Sequence, residues 1–315
     1  MSELLKNIDA RTKLAGNNKL EILMFTLGLD NRSNRRETYG INVFKVREVM
    51  RVPAITQSPD MPSAVEGMVS LRGSLVPVID LAKYVGVQCD LKPTIMIVTE
   101  YNGHTQGFLV EAVDTILRLD WSSMRVPPEM LNSQTGGLVT AVTELPDKRL
   151  VMMMDVEKVL AETGHFADDD MILKSVQPLA MANRTVFFAD DSSVARKQIE
   201  KTLEAMQVKY ISAVNGSRAW TELKKIADYA ESAHIPVTDM IQVILTDVEM
   251  PEMDGYMLTR KIKEDKRFAK VPVLMHSSLS SSSNQQLGKA VGVDEYVPKF
   301  EPQKLAQTLT RLLTR

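Results

Sequence analysis

In the first half of the chain, apolar residues fall in short runs broken by Gly, Pro, Asn and Asp. Runs of this kind, some alternating with polar residues, read as strands. They cover 21–27, 39–50, 75–79, 94–99, 106–113, 137–142 and 150–154. Short strands at this spacing predict an antiparallel barrel or sandwich. The first helical period comes only at 155–162. Before the first strand, residues 1–19 form a leader. Its Leu4, Leu5 and Ile8 fit either one side of a short amphipathic helix or a frayed terminus.

The pattern changes in the second half. Apolar runs near 185–189, 208–213, 242–245, 271–275 and 295–297 alternate with helical periods. The helices are predicted at 192–206, 217–231, 255–266, 283–291 and 302–313. Leu305, Leu309 and Leu312 recur at one helical face, as do Trp220, Leu223 and Ile226/Ala227. Strand–helix alternation predicts a doubly wound parallel sheet. Between the halves, 163–183 carries the acid run Asp168–Asp169–Asp170 and reads as a flexible linker. The organisation is therefore a leader (1–19), an all-β domain (20–162), a linker (163–183) and an α/β domain (184–315).

Composition narrows the function classes. At 315 residues the chain has room for two domains with proper cores. Lys+Arg 38 against Asp+Glu 40 gives a net charge of −2, without the basic excess of a nucleic-acid binder. The one cysteine, Cys89, excludes an intramolecular disulfide, suits a reducing compartment and reads as a small buried or half-buried residue. The four histidines show no metal-ligand spacing. No run approaches the ~20 apolar residues of a membrane span, and the start lacks a signal-peptide apolar core.

The densest chemistry lies in V-I-L-T-D-V-E-M-P-E-M-D-G, from Val243 to Gly255. An apolar strand runs into Asp247, which would stand at the carboxyl edge of the sheet with its carboxylate facing solvent. Alone, that Asp is as readily a cap or turn residue. Upstream, T-V-F-F-A-D-D-S brings a second strand to Asp190 and Asp191, with Ser192 placed to cap the next helix. Three carboxylates so close repel one another unless a cation sits among them, and hard oxygen ligands suit Mg2+. Further strands end in Ser277 and near Lys299. Acid pair, acid, hydroxyl and ammonium thus follow at successive strand ends.

By these residues, 184–315 resembles a response-regulator receiver domain. The resemblance implies that Asp247 is the phosphoacceptor. It implies that Asp190, Asp191, Asp247 and the backbone carbonyl of Glu249 hold Mg2+. Ser277 would be the switch hydroxyl, Tyr296 the switch aromatic and Lys299 the phosphate-contacting lysine. Two features depart from the usual pattern. Lys299 is preceded rather than followed by proline, and Glu249 puts a charge two residues after the acceptor, where it can act on an attacking water.

In the β half, E-G-M-V-S-L-R-G-S-L-V-P-V-I-D-L (Glu66 to Leu81) has two glycines around an apolar alternation, with Arg72 at a turn. With Y-G-I-N-V-F-K-V-R-E-V-M (Tyr39 to Met50) and L-V-E-A-V-D-T-I-L-R-L (Leu109 to Leu119), it resembles the CheW family of chemotaxis adaptors. That resemblance implies paired small β-barrels without catalytic activity, bridging chemoreceptor tips and the histidine kinase CheA. Val46, Glu48 and Arg72 would lie on the receptor- or kinase-facing surface; a core Val46 and a solvated turn Arg72 are the plain alternatives. A CheW-like half followed by a receiver is the CheV arrangement. It implies a cytoplasmic, non-enzymatic adaptor at receptor arrays, with CheW a further possible partner. Phosphorylation of Asp247 would modulate coupling or drain phosphoryl groups. An aspartyl-nucleophile phosphatase would need an Asp where Glu249 stands. A DNA-binding regulator would need an output domain, for which the chain leaves no room after the receiver.

Overall fold

The computed structural model describes residues 19–57, 59, 61–89, 92–101, 104–127, 138–163, 176–179, 183–278, 282–299 and 301–314. The leader helix considered for 1–18 and the acid run Asp168–Asp170 fall outside them. Two compact units divide the chain, a β unit built mainly from Leu20–Leu119 and Ser123–His165 and an α/β unit built mainly from Phe166–Arg315.

The β unit holds β1 (Lys19–Thr26), β2 (Thr38–Asn42), β3 (Val46–Arg51), β4 (Val65–Leu71), β5 (Ser74–Asp80), α1 (Leu81–Val85), β6 (Ile95–Tyr101), β7 (His104–Val110), β8 (Ala112–Asp120), β9 (Val139–Glu144), β10 (Leu150–Met154) and α2 (Val156–Thr163). They form two five-stranded sheets, ordered β8-β1-β2-β10-β9 and β3-β6-β7-β5-β4. One core gathers Met50 and Leu71 around Val69, Val76, Val78, Met96, Val98 and Leu109, so all five strands of the second sheet face one interior. The sheet is curled, as the expected small barrel requires.

Three sequence readings are corrected here. The apolar stretch 39–50 is two strands, not one. Asn42 Oδ1 accepts the Phe44 N–H at 3.0 Å, a 3-10 turn covers Val43–Lys45, and β3 leaves for the other sheet. The stretch 106–113 likewise divides at Glu111 into β7 and β8. Nor is the pairing purely antiparallel, because β10 pairs with β2, and β5 with β7, in parallel. Apolar alternation shows which residues are inside, but not which sheet a strand joins.

Gly67 has φ 140°, and a Cβ there would stand 2.3 Å from the Thr56 carbonyl oxygen. Only glycine allows the Met68 N–H to donate to that carbonyl at 2.8 Å.

The α/β unit runs β11 (Thr185–Ala189), α3 (Ser193–Ala205), β12 (Lys209–Ala213), α4 (Gly216–Ser232), α5 (Val237–Met240), β13 (Val243–Thr246), α6 (Gly255–Glu264), β14 (Val273–Ser277), α7 (Ser282–Val291), β15 (Glu295–Pro298) and α8 (Pro302–Leu313). All pairs are parallel, in the order β12-β11-β13-β14-β15. Successive strand residues face opposite ways. Phe188 therefore enters a core with Ile199 and Leu203 of α3 and Leu305 and Leu309 of α8. Phe187 enters the other, with Leu223 and Ala227 of α4 and Leu258 and Ile262 of α6. The predicted leucine face of α8 is buried. The single turn α5, led by Pro236, shows no helical period because it is too short to carry one.

The described end of the predicted linker is not free chain. Val176 is buried in the α3/α8 core, Leu179 packs against it, and the Leu179 N–H donates to the Met206 carbonyl at 2.8 Å.

Candidate functional site at the carboxyl edge of the parallel sheet

Four adjacent strands, β11, β13, β14 and β15, deliver the polar groups singled out in the sequence. Ala189 pairs with Thr246, so the chain leaves β11 and β13 in register and the next residues are Asp190 and Asp247. The Asp247 N–H donates to the Ala189 carbonyl at 2.8 Å, which ties the two acids together. Asp190, Asp191 and Asp247 each place a carboxylate oxygen within 4.8 Å of the others. Ser277 ends β14 opposite Pro298, and Lys299 follows, its N–H donating to the Ser277 carbonyl at 3.2 Å.

Lys299 is 2% exposed. Its ammonium reaches Asp247 Oδ2 at 2.9 Å and Asp190 Oδ2 at 3.0 Å. Asp247 is only 3% exposed, against the expectation that its carboxylate faces solvent. A buried carboxylate needs a counter-charge, and that charge lies 52 residues further along the chain. Asp247 Oδ1 accepts the Val248 N–H at 2.6 Å. Asp190 Oδ1 accepts the Ser192 N–H at 2.9 Å, and Ser192 caps α3 as expected. Three carboxylates gathered around the Lys299 ammonium favour a cation among them. An all-oxygen donor set, partly open at the half-buried Asp191, fits Mg2+.

The switch pair also comes together. The Ser277 and Tyr296 side chains are hydrogen-bonded, and burial pushes the Tyr296 phenol above its ordinary range. Tyr296 is half-buried against Met275, Tyr256 and Val248. Glu249 is buried at 8% exposure and its carboxylate is not one of the three clustered acids.

Two residues here were not singled out in the sequence. Arg196, in the first turn of α3, donates from Nη1 to the carbonyls of Asp190 and Asp191 at 2.9 and 2.8 Å. Asp254 caps α6 by accepting the Met257 N–H at 2.6 Å, and burial pushes its carboxyl up to about 6. The next residue, Gly255, lies so close to the Asp247 carbonyl that a Cβ would fall 1.9 Å from its oxygen. Asp254 could have been found as an Asx residue before a helical period; Arg196 could not.

A CheW-like domain model matches residues 21–164, and a response regulator receiver domain model matches 186–310. The chain is 28% identical to chemotaxis protein CheV1 of Helicobacter pylori, covering 99% of this chain and 99% of that protein. It is 32% identical to chemotaxis protein CheW of Klebsiella aerogenes over 48% of this chain and 87% of that protein. Chemotaxis protein CheY1 of Helicobacter pylori matches at 32% identity over 39% of this chain and 92% of that protein. The chain belongs to the CheV-type family, a CheW-like domain joined to a receiver.

On the CheW-like domain, Arg72 and Gly73 form the two-residue turn of the β4–β5 hairpin, at φ 51° and 85°. Positive φ at both positions suits a tight hairpin turn but is unfavourable for a residue with a Cβ. Arg72 Nη2 donates to Glu48 Oε2 at 2.9 Å. Val46, half-buried, lies two residues before Glu48 on β3. Among the described residues no helix is long and apolar enough to cross a membrane.

Proposed function

We propose that this protein is a chemotaxis coupling adaptor whose receiver domain is phosphorylated on Asp247. The observation that carries the reading is the Lys299 ammonium, held 2.9 Å from Asp247 and 3.0 Å from Asp190 beneath a three-carboxylate cluster. The matched CheW-like domain over 21–164 supplies the other half. In this reading the CheW-like surface around Arg72, Glu48 and Val46 docks chemoreceptor tips and the histidine kinase CheA, with CheW as a further neighbour. The work is done in the cytoplasm at receptor arrays. Catalysis of a turnover reaction is not the role of the chain.

Asp190, Asp191, Asp247 and the Glu249 carbonyl would hold Mg2+. When bound, Mg2+ neutralises charge on the transferred phosphoryl oxygens. The Asp247 carboxylate oxygen attacks phosphorus in a phosphohistidine of the kinase. An O–P bond forms as the N–P bond breaks, and the imidazole nitrogen leaves with the electron pair. Lys299, already paired with Asp247, offers its ammonium to a phosphoryl oxygen. Ser277 can exchange its bond with Tyr296 for one to the new phosphoryl group. Tyr296, released from Ser277, can then shift from its present packing against Val248, Met275 and Tyr256, which biases the α7–β15 face between two arrangements.

Incubation with phosphorylated kinase tests the reading. One labile phosphoryl group per chain is expected, absent in Asp247→Asn, while both proteins still associate with receptor–kinase complexes. Repeated hydrolysis of a generic phosphate ester would instead mark a phosphatase. Uptake without any association would leave a stand-alone phosphate sink.

A further inference from the structure

We propose that Arg196 is a positioning residue for the acid pair, and that its two-carbonyl clamp sets the affinity of the cluster for Mg2+. The inference rests on the phosphoacceptor reading above.

Asp190 and Asp191 are consecutive, and consecutive residues leaving a strand would ordinarily point their side chains to opposite faces. Both nevertheless contribute to one cluster, with oxygens within 4.8 Å of each other and of Asp247. The backbone at 190–191 must therefore be held off the extended path. Besides the Lys299 ammonium on its Oδ2, Asp190 donates its N–H to the Ala213 carbonyl at 3.2 Å and accepts the Ser192 N–H at Oδ1. None of these contacts is to a carbonyl of Asp190 or Asp191. The half-buried Arg196 reaches back from α3 so that one nitrogen donates to both carbonyls at 2.9 and 2.8 Å. Those two carbonyls set the peptide planes on either side of Asp191, and with them the direction of its carboxylate. Nη1 carries two N–H donors fixed in the guanidinium plane, one for each carbonyl, whereas the donors of a lysine ammonium turn freely on a flexible stem and hold no such frame.

The electrostatic effect has the opposite sign. A cation beside an acid cluster repels Mg2+, so removing it would tighten binding if charge alone mattered. Loss of positioning would weaken binding, as groups that orient metal ligands do, by about 10- to 100-fold. Two variants separate these. Arg196→Lys keeps the charge and loses the frame; Arg196→Gln loses the charge as well.

Mg2+ binding to the full-length protein is measured by calorimetry, beside thermal melts in EDTA and in saturating Mg2+. The expected result is weaker Mg2+ binding by about 10-fold or more in Arg196→Lys. Melting in EDTA should stay near wild type, and phosphoryl uptake from a small-molecule donor should recover at high Mg2+. Arg196→Gln should also bind more weakly than wild type. Should the lysine variant destabilise the fold, the upward shift in melting temperature from saturating Mg2+ is compared instead, and it should be smaller than in wild type. Unchanged or tighter binding in Arg196→Lys, with wild type binding normally, overturns this inference alone. A wild type that binds no Mg2+ overturns it together with the phosphoacceptor reading.

Discussion

Arg72 and Glu48 belong to opposite edges of one five-stranded sheet, yet a guanidinium nitrogen of the first lies 2.9 Å from a carboxylate oxygen of the second. β3, which carries Glu48, and β4, which leads into Arg72, are the terminal strands of that sheet. Only curling of the sheet brings them together, and the core shared by all five strands shows what drives it. The ion pair is a consequence of closure rather than its cause. The Arg72 side chain is 66% exposed, and exposed pairs contribute about 0.2–1 kcal/mol.

That weakness makes Arg72→Glu a clean test of docking. The substitution sets two carboxylates at the hairpin tip but should cost under about 1 kcal/mol of stability. Association with receptor–kinase complexes in a pull-down is expected to fall, because the tip loses the cation proposed to meet the partner. Phosphoryl uptake at Asp247 is expected to stay at the wild-type rate. Undiminished association would take Arg72 out of the docking surface.

Lys299→Ala is expected to destabilise the receiver when no divalent cation is present. It leaves Asp190 and Asp247, at 0% and 3% exposure, without their shared ammonium. Removing one partner of a buried pair costs about 3–5 kcal/mol. Mg2+ offers a substitute charge to the same carboxylates, so adding it should restore part of the loss and raise the melting temperature more than in wild type. Equal melting of variant and wild type in EDTA would show that the ion pair is not a stabilising feature.

How much of this was legible in the sequence depended on range. The apolar runs ending in Asp190, Asp247 and Ser277 are local, and strand periodicity alone placed those residues at one sheet edge. The burial of Asp247 was not legible, because its cause is Lys299 on another strand. The break of 39–50 into β2 and β3 was also hidden, since both pieces are apolar enough to be strands and only tertiary pairing assigns them to different sheets. Parallel pairing of β5 with β7 lies in the same class. Arg196 was invisible for a further reason: an arginine in the first turn of a helix normally reads as a solvated charge, and its two acceptors are main-chain carbonyls.

Asp254 predicts an unusual pH dependence. Its carboxyl rises from an ordinary 3.8 to about 6, chiefly through burial, with the Met257 and Tyr256 amides and Arg260 opposing the rise. The folded state thus holds a proton that the unfolded chain has already lost between about pH 4 and 6. The stability contributed by this group is fully present below about 3.8 and is lost as pH rises through about 6. The difference corresponds to about 3 kcal/mol. Asp254→Asn keeps a helix cap and cannot ionise. In chemical denaturation across pH 4–7, the variant is expected to gain stability relative to wild type as pH rises, by up to about 3 kcal/mol. Parallel curves for the two proteins would mean that Asp254 does not carry this shift.

Val176 tests where the receiver fold begins. It precedes β11 by nine residues, in a stretch that composition assigns to linker, yet it is 8% exposed in the core formed by α3 and α8. Leu179 packs beside it and donates its N–H to Met206 at the end of α3. If the segment were passive tether, truncating Val176 would leave the receiver unchanged. Burial predicts that Val176→Ala in the full-length chain lowers receiver stability by about 1–2 kcal/mol, the loss expected for two buried methyl groups. The effect should appear as faster hydrogen exchange at the Ile199 and Leu309 amides, which share that core, and not at Val78 or Val98 of the CheW-like barrel. Exchange unchanged at Ile199 and Leu309 would return the segment to the linker. Acceleration confined to α3 and α8 would make residues 176–179 the point at which the tether is fastened to the receiver domain.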